Sequence, residues 1–135
     1  MDLAALQPGL RGEVEFVVDA HHTAQHLGSG GVEVLATPHM VLLMEMAGVK
    51  AVDHLLPEGY RTVGMHLDVR HLAPTPVGMK VVITAELLDV DGRRLTFEVQ
   101  AHDAEEIVGE GIHQRYIIDV EKFAQGVSDK ARRQK

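Results

Sequence analysis

The order of apolar and polar positions divides the chain into one strand, a loop, one long helix and four further strands. In residues 13–18, Val14, Phe16 and Val18 alternate with polar neighbours, which predicts a half-buried strand. Residues 21–31 contain a Gly-Ser-Gly-Gly run and read as a loop. Thr37 suits a helix N-cap and Pro38 suits the first helical position. The helix predicted over 40–56 has no proline and one internal glycine, Gly48. Its apolar residues, among them Met40, Leu43, Met44, Met46, Val49 and Val52, cover most of the circumference, which predicts burial nearly all round. Pro57 and Gly59 end it.

Beyond the helix the period changes to two. In residues 61–71 the apolar side chains stand at Val63, Met65, Leu67 and Val69, in phase with His71. Residues 79–90 place Val81, Ile83, Ala85 and Leu87 on one face, and Asp91-Gly92 is a hairpin turn signal. Residues 94–102 alternate with Leu95, Phe97, Val99 and Ala101 facing in, and a last strand spans 107–118. Asp119 is placed to cap a short helical tail through Phe123, and residues 128–135 read as a frayed polar end.

A single flat sheet does not enclose a helix that is apolar on every side. The arrangement that does is α+β: a strongly curved antiparallel sheet wrapped around one long central helix and closed by a second copy, the hotdog fold. The expectation is one domain over residues 1–135 with a core near 13–124, working as a homodimer, with a dimer of dimers left open.

Composition narrows the function. Apolar residues make up 45% and charged residues 24% of the 135, enough apolar area for a folded core. A formal charge of −7 and only 4% aromatics argue against nucleic-acid or anionic-membrane partners. The absence of cysteine removes disulfides, thiolate nucleophiles and Cys-based metal sites. With no signal pattern and no spanning segment, a cytoplasmic location is expected. Nine histidines are many for this length.

Three residues stand out for chemistry. Glu45 lies mid-helix among Leu42, Leu43, Met44 and Met46. It is either the solvent-facing strip of that helix or a functional carboxylate with a perturbed environment. His71 is in phase with an inward face and is either a hydrogen-bonded structural histidine or a base near neutral pH. Thr37 caps the helix, and the same helix end offers free N–H groups to an oxyanion. Eight residues of regular helix separate Thr37 from Glu45 by about 12 Å, so the two do not touch if the helix starts at Pro38. Either it starts later, or the group that meets Glu45 comes from a facing subunit. His21, His22, His26 and His66 match no metal-ligand spacing, no phosphate-loop lysine follows the glycines, and Ser29 lacks a nucleophile elbow.

Four segments carry a family resemblance: Ala-Thr-Pro-His-Met-Val-Leu-Leu-Met-Glu-Met-Ala at 36–47, Val-Gly-Met-His-Leu-Asp-Val-Arg-His-Leu-Ala-Pro-Thr-Pro-Val-Gly at 63–78, Asp-Gly-Arg-Arg-Leu-Thr-Phe at 91–97, and Gly-Glu-Gly-Ile-His-Gln-Arg at 109–115. In this order they resemble the fluoroacetyl-CoA thioesterase-like family of hotdog proteins over about residues 13–124. The resemblance implies acyl-CoA hydrolysis by a threonine, a glutamate and a histidine, which fall on Thr37, Glu45 and His71. It implies substrate contacts at Gly64, through its backbone N–H, and at Arg115. CoA is then part of the substrate, and no separate cofactor is implied. Residues 26–37 depart from the fluoroacetyl-specific enzyme, which has a longer, phenylalanine-bearing insertion over the acyl group. That departure points to a different acyl group. Two rival readings are a non-catalytic acyl-CoA-binding hotdog protein and a histidine-loop metal module. A hydratase reading lacks its acid, because His66 stands where that family is similar in having Asp.

Overall fold

A computed structural model describes residues 2–134. Strand β1 (Arg11–Val17) is followed by a 3-10 turn (Ala20–His22) and a one-turn helix α1 (Ala24–Leu27). The central helix α2 (Thr37–Val52) continues into a 3-10 turn (Asp53–Leu55). Then come β2 (Tyr60–His71), β3 (Lys80–Asp91), β4 (Arg94–His102), β5 (Ile107–Asp119) and α3 (Val120–Arg132). The strands form one antiparallel sheet in the order β1-β3-β4-β5-β2, so β1 and β2 are its edges. Helix α2 contacts all five strands, which the sheet achieves by curling around it.

Small residues set the distance between helix and sheet. A Cβ on Gly12 of β1 would stand 2.1 Å from the Ala47 carbonyl oxygen and 2.7 Å from the Ala51 nitrogen. The glycine therefore lets β1 lie directly on the helix backbone. The core beneath it comprises Met40, Leu43, Met44 and Val52 from α2 with Val81, Ile83, Leu87, Leu95, Phe97 and Val99 from the sheet, all buried. At roughly 1.5–3 kcal/mol for each large apolar side chain, this layer is the main stabilising force.

The structure differs from the sequence expectations in five respects. Residues 21–31 are not plain loop. Asp19 accepts hydrogen bonds from the N–H groups of His21 and His22, Thr23 from that of His26, and Gly28 ends α1 at φ 77°. Helix α2 begins at Thr37 with Ala36 as its N-cap, and no side chain caps it. It is not buried all round, since Leu42, Met46 and Val49 are exposed on one stripe. The tail is helical through Arg132, well past Phe123 and across the stretch expected to fray. Asp119 caps it by accepting from the Lys122 N–H.

The alternation in β2 also breaks. A register shift between Gly64 and His66 leaves Met65 as an extra residue, half exposed, while Thr62 is buried. The bulge exchanges the faces of the strand. Thr62 and Gly64 point toward α2 before it. Leu67, Val69 and His71 follow the inward phase after it, as expected.

Candidate active site

The predicted site residues fall into two groups, one at the start of α2 and one two turns along it. At the start of α2, the Thr37 hydroxyl lies 2.7 Å from His71 Nδ1, the end of β2. Since Ala36 is the N-cap, this hydroxyl is not spent on the helix end but on the imidazole. His71 Nε2 is buried and has no hydrogen-bond partner, a state that a structural histidine seldom keeps. Burial pulls the His71 pKa below the ordinary value, against an opposing contact with the Ala73 backbone, so the ring is neutral at pH 7.

Around this pair lies an open cavity of about 320 Å3 whose lining includes Val32, Val34, Leu72, Ala73 and Pro74. No ionisable side chain other than His71 lines it. Its wall is braced from behind. The Leu35 N–H donates to the Thr75 carbonyl, and the Thr75 hydroxyl donates to Asp103 at 3.0 Å. Asp103 in turn accepts from the N–H groups of Glu105 and Glu106.

Two turns along α2, Glu45 is part of a second group. Its Oε2 is 3.7 Å from Arg115 Nη1 on β5. A Cβ on Gly64 would stand 2.6 Å from the same oxygen, so Gly64 provides the space the carboxylate occupies. Arg115 is almost fully buried, and its Nε donates to the Thr62 hydroxyl at 2.8 Å and its Nη2 to the Thr62 carbonyl at 3.1 Å. Thr62 passes its hydroxyl proton bond to Asp53 Oδ1 at 2.5 Å. Burial lowers the Arg115 pKa, opposed by Asp53 and then Glu45. A guanidinium starting so high stays charged. A groove of about 340 Å3 beside Glu45 is lined by Leu42, Met46, Val49, Lys50 and Arg115.

The two groups do not meet within one chain. Because the helix is regular from Thr37, the rise to Glu45 is about 12 Å. Of the sequence-predicted residues, the structure brings Thr37 to His71, and Glu45 to Gly64 and Arg115. Sequence reasoning missed Thr62 and Asp53, whose importance depends on a bulge that periodicity does not reveal. His113 stands in the 109–115 segment, where the sequence attaches no role to it. Its phase with Arg115 and Ile117 on β5 was the available signal. Among the described residues, no group of three or more His, Asp or Glu is arranged to hold a metal ion.

The sequence profile of the family described as "Fluoroacetyl-CoA-specific thioesterase" matches residues 18–121. The chain belongs to this family. A fluoroacetyl-CoA thioesterase of Streptantibioticus cattleyicolor is 41% identical over 131 residues, covering 93% of this chain and 94% of that protein. A solved structure of a fluoroacetyl-CoA thioesterase is similar at a TM-score of 0.86 with 41% identity, covering 93% of this chain and 97% of that one. A hot-dog-like protein from Thermanaerovibrio acidaminovorans matches at a TM-score of 0.88 and 25% identity, over 96% and 97% of the two chains. The curled sheet around a central helix is thus the hotdog fold of a fluoroacetyl-CoA thioesterase relative.

Proposed function

We propose that two copies of this chain build a composite site that hydrolyses an acyl-CoA thioester. The activity class, an acyl-CoA thioesterase, follows from family membership. The observation that carries the composite site is the separation of Thr37 and His71 from Glu45 by two turns of regular helix. Two features favour a second copy. Leu42, Met46 and Val49 form an exposed apolar stripe that flanks Glu45. The open edge of β2 carries unpaired backbone groups beside the exposed Met65. A twofold axis at these elements sets Glu45 of one subunit opposite Thr37 and His71 of the other.

In this reading the Gly64 N–H polarises the thioester carbonyl and receives the developing oxyanion. Glu45 acts in one of two balanced ways. It attacks the carbonyl carbon, the C–S bond breaks and CoA thiolate leaves with a proton, and water then opens the resulting anhydride. Alternatively it takes a proton from the water that attacks. Arg115, 3.7 Å from Oε2, holds the Glu45 carboxylate in place. His71, neutral and with Nε2 unengaged, delivers or accepts the proton, with Thr37 fixing its ring. The acyl chain enters the apolar cavity next to Thr37. Its rim is the Gly-rich stretch near Gly28–Gly31 with Val32, so the preferred acyl group is larger than fluoroacetyl. CoA is substrate and no separate cofactor takes part.

A thiol-release assay over acyl-CoAs of increasing chain length tests this reading. Turnover that peaks above the two-carbon acyl group is expected. Binding of the whole series without turnover would instead make the protein an acyl-CoA binder.

A further inference from the structure

His113 is the one fully buried histidine in the core, and the mechanism above gives it no task. Its Nδ1 lies 2.8 Å from the His66 carbonyl oxygen. A carbonyl only accepts, so Nδ1 carries a hydrogen. Its Nε2 lies 3.1 Å from Arg115 Nη1. A guanidinium only donates, so Nε2 is the acceptor. The two contacts together admit a single state, the neutral imidazole protonated on Nδ1.

We infer that His113 is a positioning residue for the thioesterase reaction: as a neutral acceptor it aims the Arg115 guanidinium at Glu45 and, through His66, holds the β2 bulge that presents Gly64. The inference rests on the role proposed above for Glu45, Gly64 and Arg115.

The donor count of Arg115 supports it. Nε and one hydrogen of Nη2 go to Thr62, and one hydrogen of Nη1 goes to His113. The other Nη1 hydrogen is left for Glu45 Oε2, at 3.7 Å. An acidic residue at 113 would take over the guanidinium charge and compete with Glu45. An apolar residue would leave a buried N–H unpaired and the guanidinium free to turn. A neutral imidazole satisfies the donor and leaves the charge undivided. Its ring is confined by Phe97, stacked at 6.3 Å between centroids, and by Gly48, where a Cβ would come within 3.2 Å of Arg115 Cδ and 3.6 Å of His113 Cδ2. This gives Gly48, an internal helix glycine, a physical reason.

The groups facing His113 are Arg115 on its own strand, Glu45 on α2 and His66 on β2, while β4 contributes the apolar Phe97. Burial and Arg115 disfavour its protonated form, against the His66 carbonyl and Glu45.

The test pairs ring-nitrogen NMR with kinetics on the full-length protein. The His113 ring is expected to be in the neutral Nδ1–H state at pH 8 and still at pH 6, where an ordinary histidine of pKa about 6.5 is already mostly protonated. An Nε2–H tautomer, or an imidazolium at neutral pH, would overturn the inference. His113→Gln offers an oxygen to Arg115 and an N–H to His66, whereas His113→Leu offers neither. His113→Leu is expected to lower kcat at least ~10-fold with KM changed by less than ~3-fold, and His113→Gln to recover most of that loss. Wild-type kcat in His113→Leu, or a Gln variant no better than Leu, overturns it. Should His113→Leu not fold, the Gln variant and the tautomer still decide. Glu45→Gln, run in parallel, separates the two proposals: if it remains active, the role of Glu45 itself fails.

Discussion

At Gly64, an added Cβ would stand 2.6 Å from Glu45 Oε2. The obstacle to a Cβ there is the end of the Glu45 side chain, which can swing away, so the fold tolerates Gly64→Ala. The carboxylate then loses its place beside Arg115. Gly64→Ala is expected to keep the wild-type unfolding free energy within about 1 kcal/mol, read by urea titration, and to lose at least ~100-fold in acyl-CoA hydrolysis. Glu45→Gln and His71→Ala should lose as much, and full activity in both would remove them from the reaction. Two of these positions were legible from residues alone, Glu45 as a carboxylate in an apolar run and His71 as a histidine in an inward phase. Gly64 and Arg115 rested on the family resemblance. Thr62 and Asp53 were not legible, because only folding brings them to Arg115.

A second test at this scale concerns pH. His39 is buried, packed in tilted contact with His22 at 4.1 Å between centroids and with Phe16 at 4.5 Å, and its Nε2 has no partner. Burial, with a contribution from His22, lowers its pKa in the folded protein. The unfolded chain therefore binds the extra proton first. The contribution to stability is full above the unfolded value of about 6.5 and is lost as pH falls through the folded pKa. His39→Phe, which cannot protonate, is expected to narrow the difference in urea midpoint between pH 7.5 and pH 5.5. An undiminished difference would assign the pH dependence to His71 and His113, whose folded pKa values are lowered in the same direction.

Among the elements, β2 is the one whose behaviour the sequence concealed. Its odd-numbered apolar residues form an unbroken pattern, yet the bulge at Met65 turns the first half over. Nothing in a period of two marks an inserted residue, since Val63 and Met65 are apolar on either face. The tail was underestimated for a related reason. Helix α3 buries none of its side chains, so the polar stretch that suggested fraying is compatible with an exposed amphipathic helix. Strands β3 and β4 were legible because their inward residues, Val81, Ile83, Ala85 and Leu87 on one and Leu95, Phe97, Val99 and Ala101 on the other, alternate without a break and are all buried. The approach of β1 to α2 gives a prediction at this scale. At Gly12 the clash is with helix backbone rather than a side-chain end. Gly12→Ala should destabilise by about 3 kcal/mol, read as a drop in urea midpoint, against little change for Gly64→Ala. Equal stability of the two would mean that β1 does not lie on the helix as closely as 2.1 Å implies.

For the whole molecule, the same observation accounts for both assembly and chemistry. A helix expected to be buried on all sides exposes Leu42, Met46 and Val49, and the carboxylate in their midst lies two turns away from the threonine and histidine it would work with. In the proposed dimer a second copy covers the stripe and completes the site. Met46→Lys, at a position exposed in the single chain, is expected to leave the fold intact, shift sedimentation toward monomer and abolish hydrolysis together. Complementation tests the composite site most directly. Glu45→Gln and His71→Ala proteins, each inactive, are mixed, unfolded and refolded together, and assayed for thiol release. If the site spans two subunits, half the dimers are mixed and each holds one intact site, so activity returns to about a quarter of wild type. If the mixture stays as inactive as its two components, Glu45 does not work with Thr37 and His71 of a second subunit, and the account is wrong.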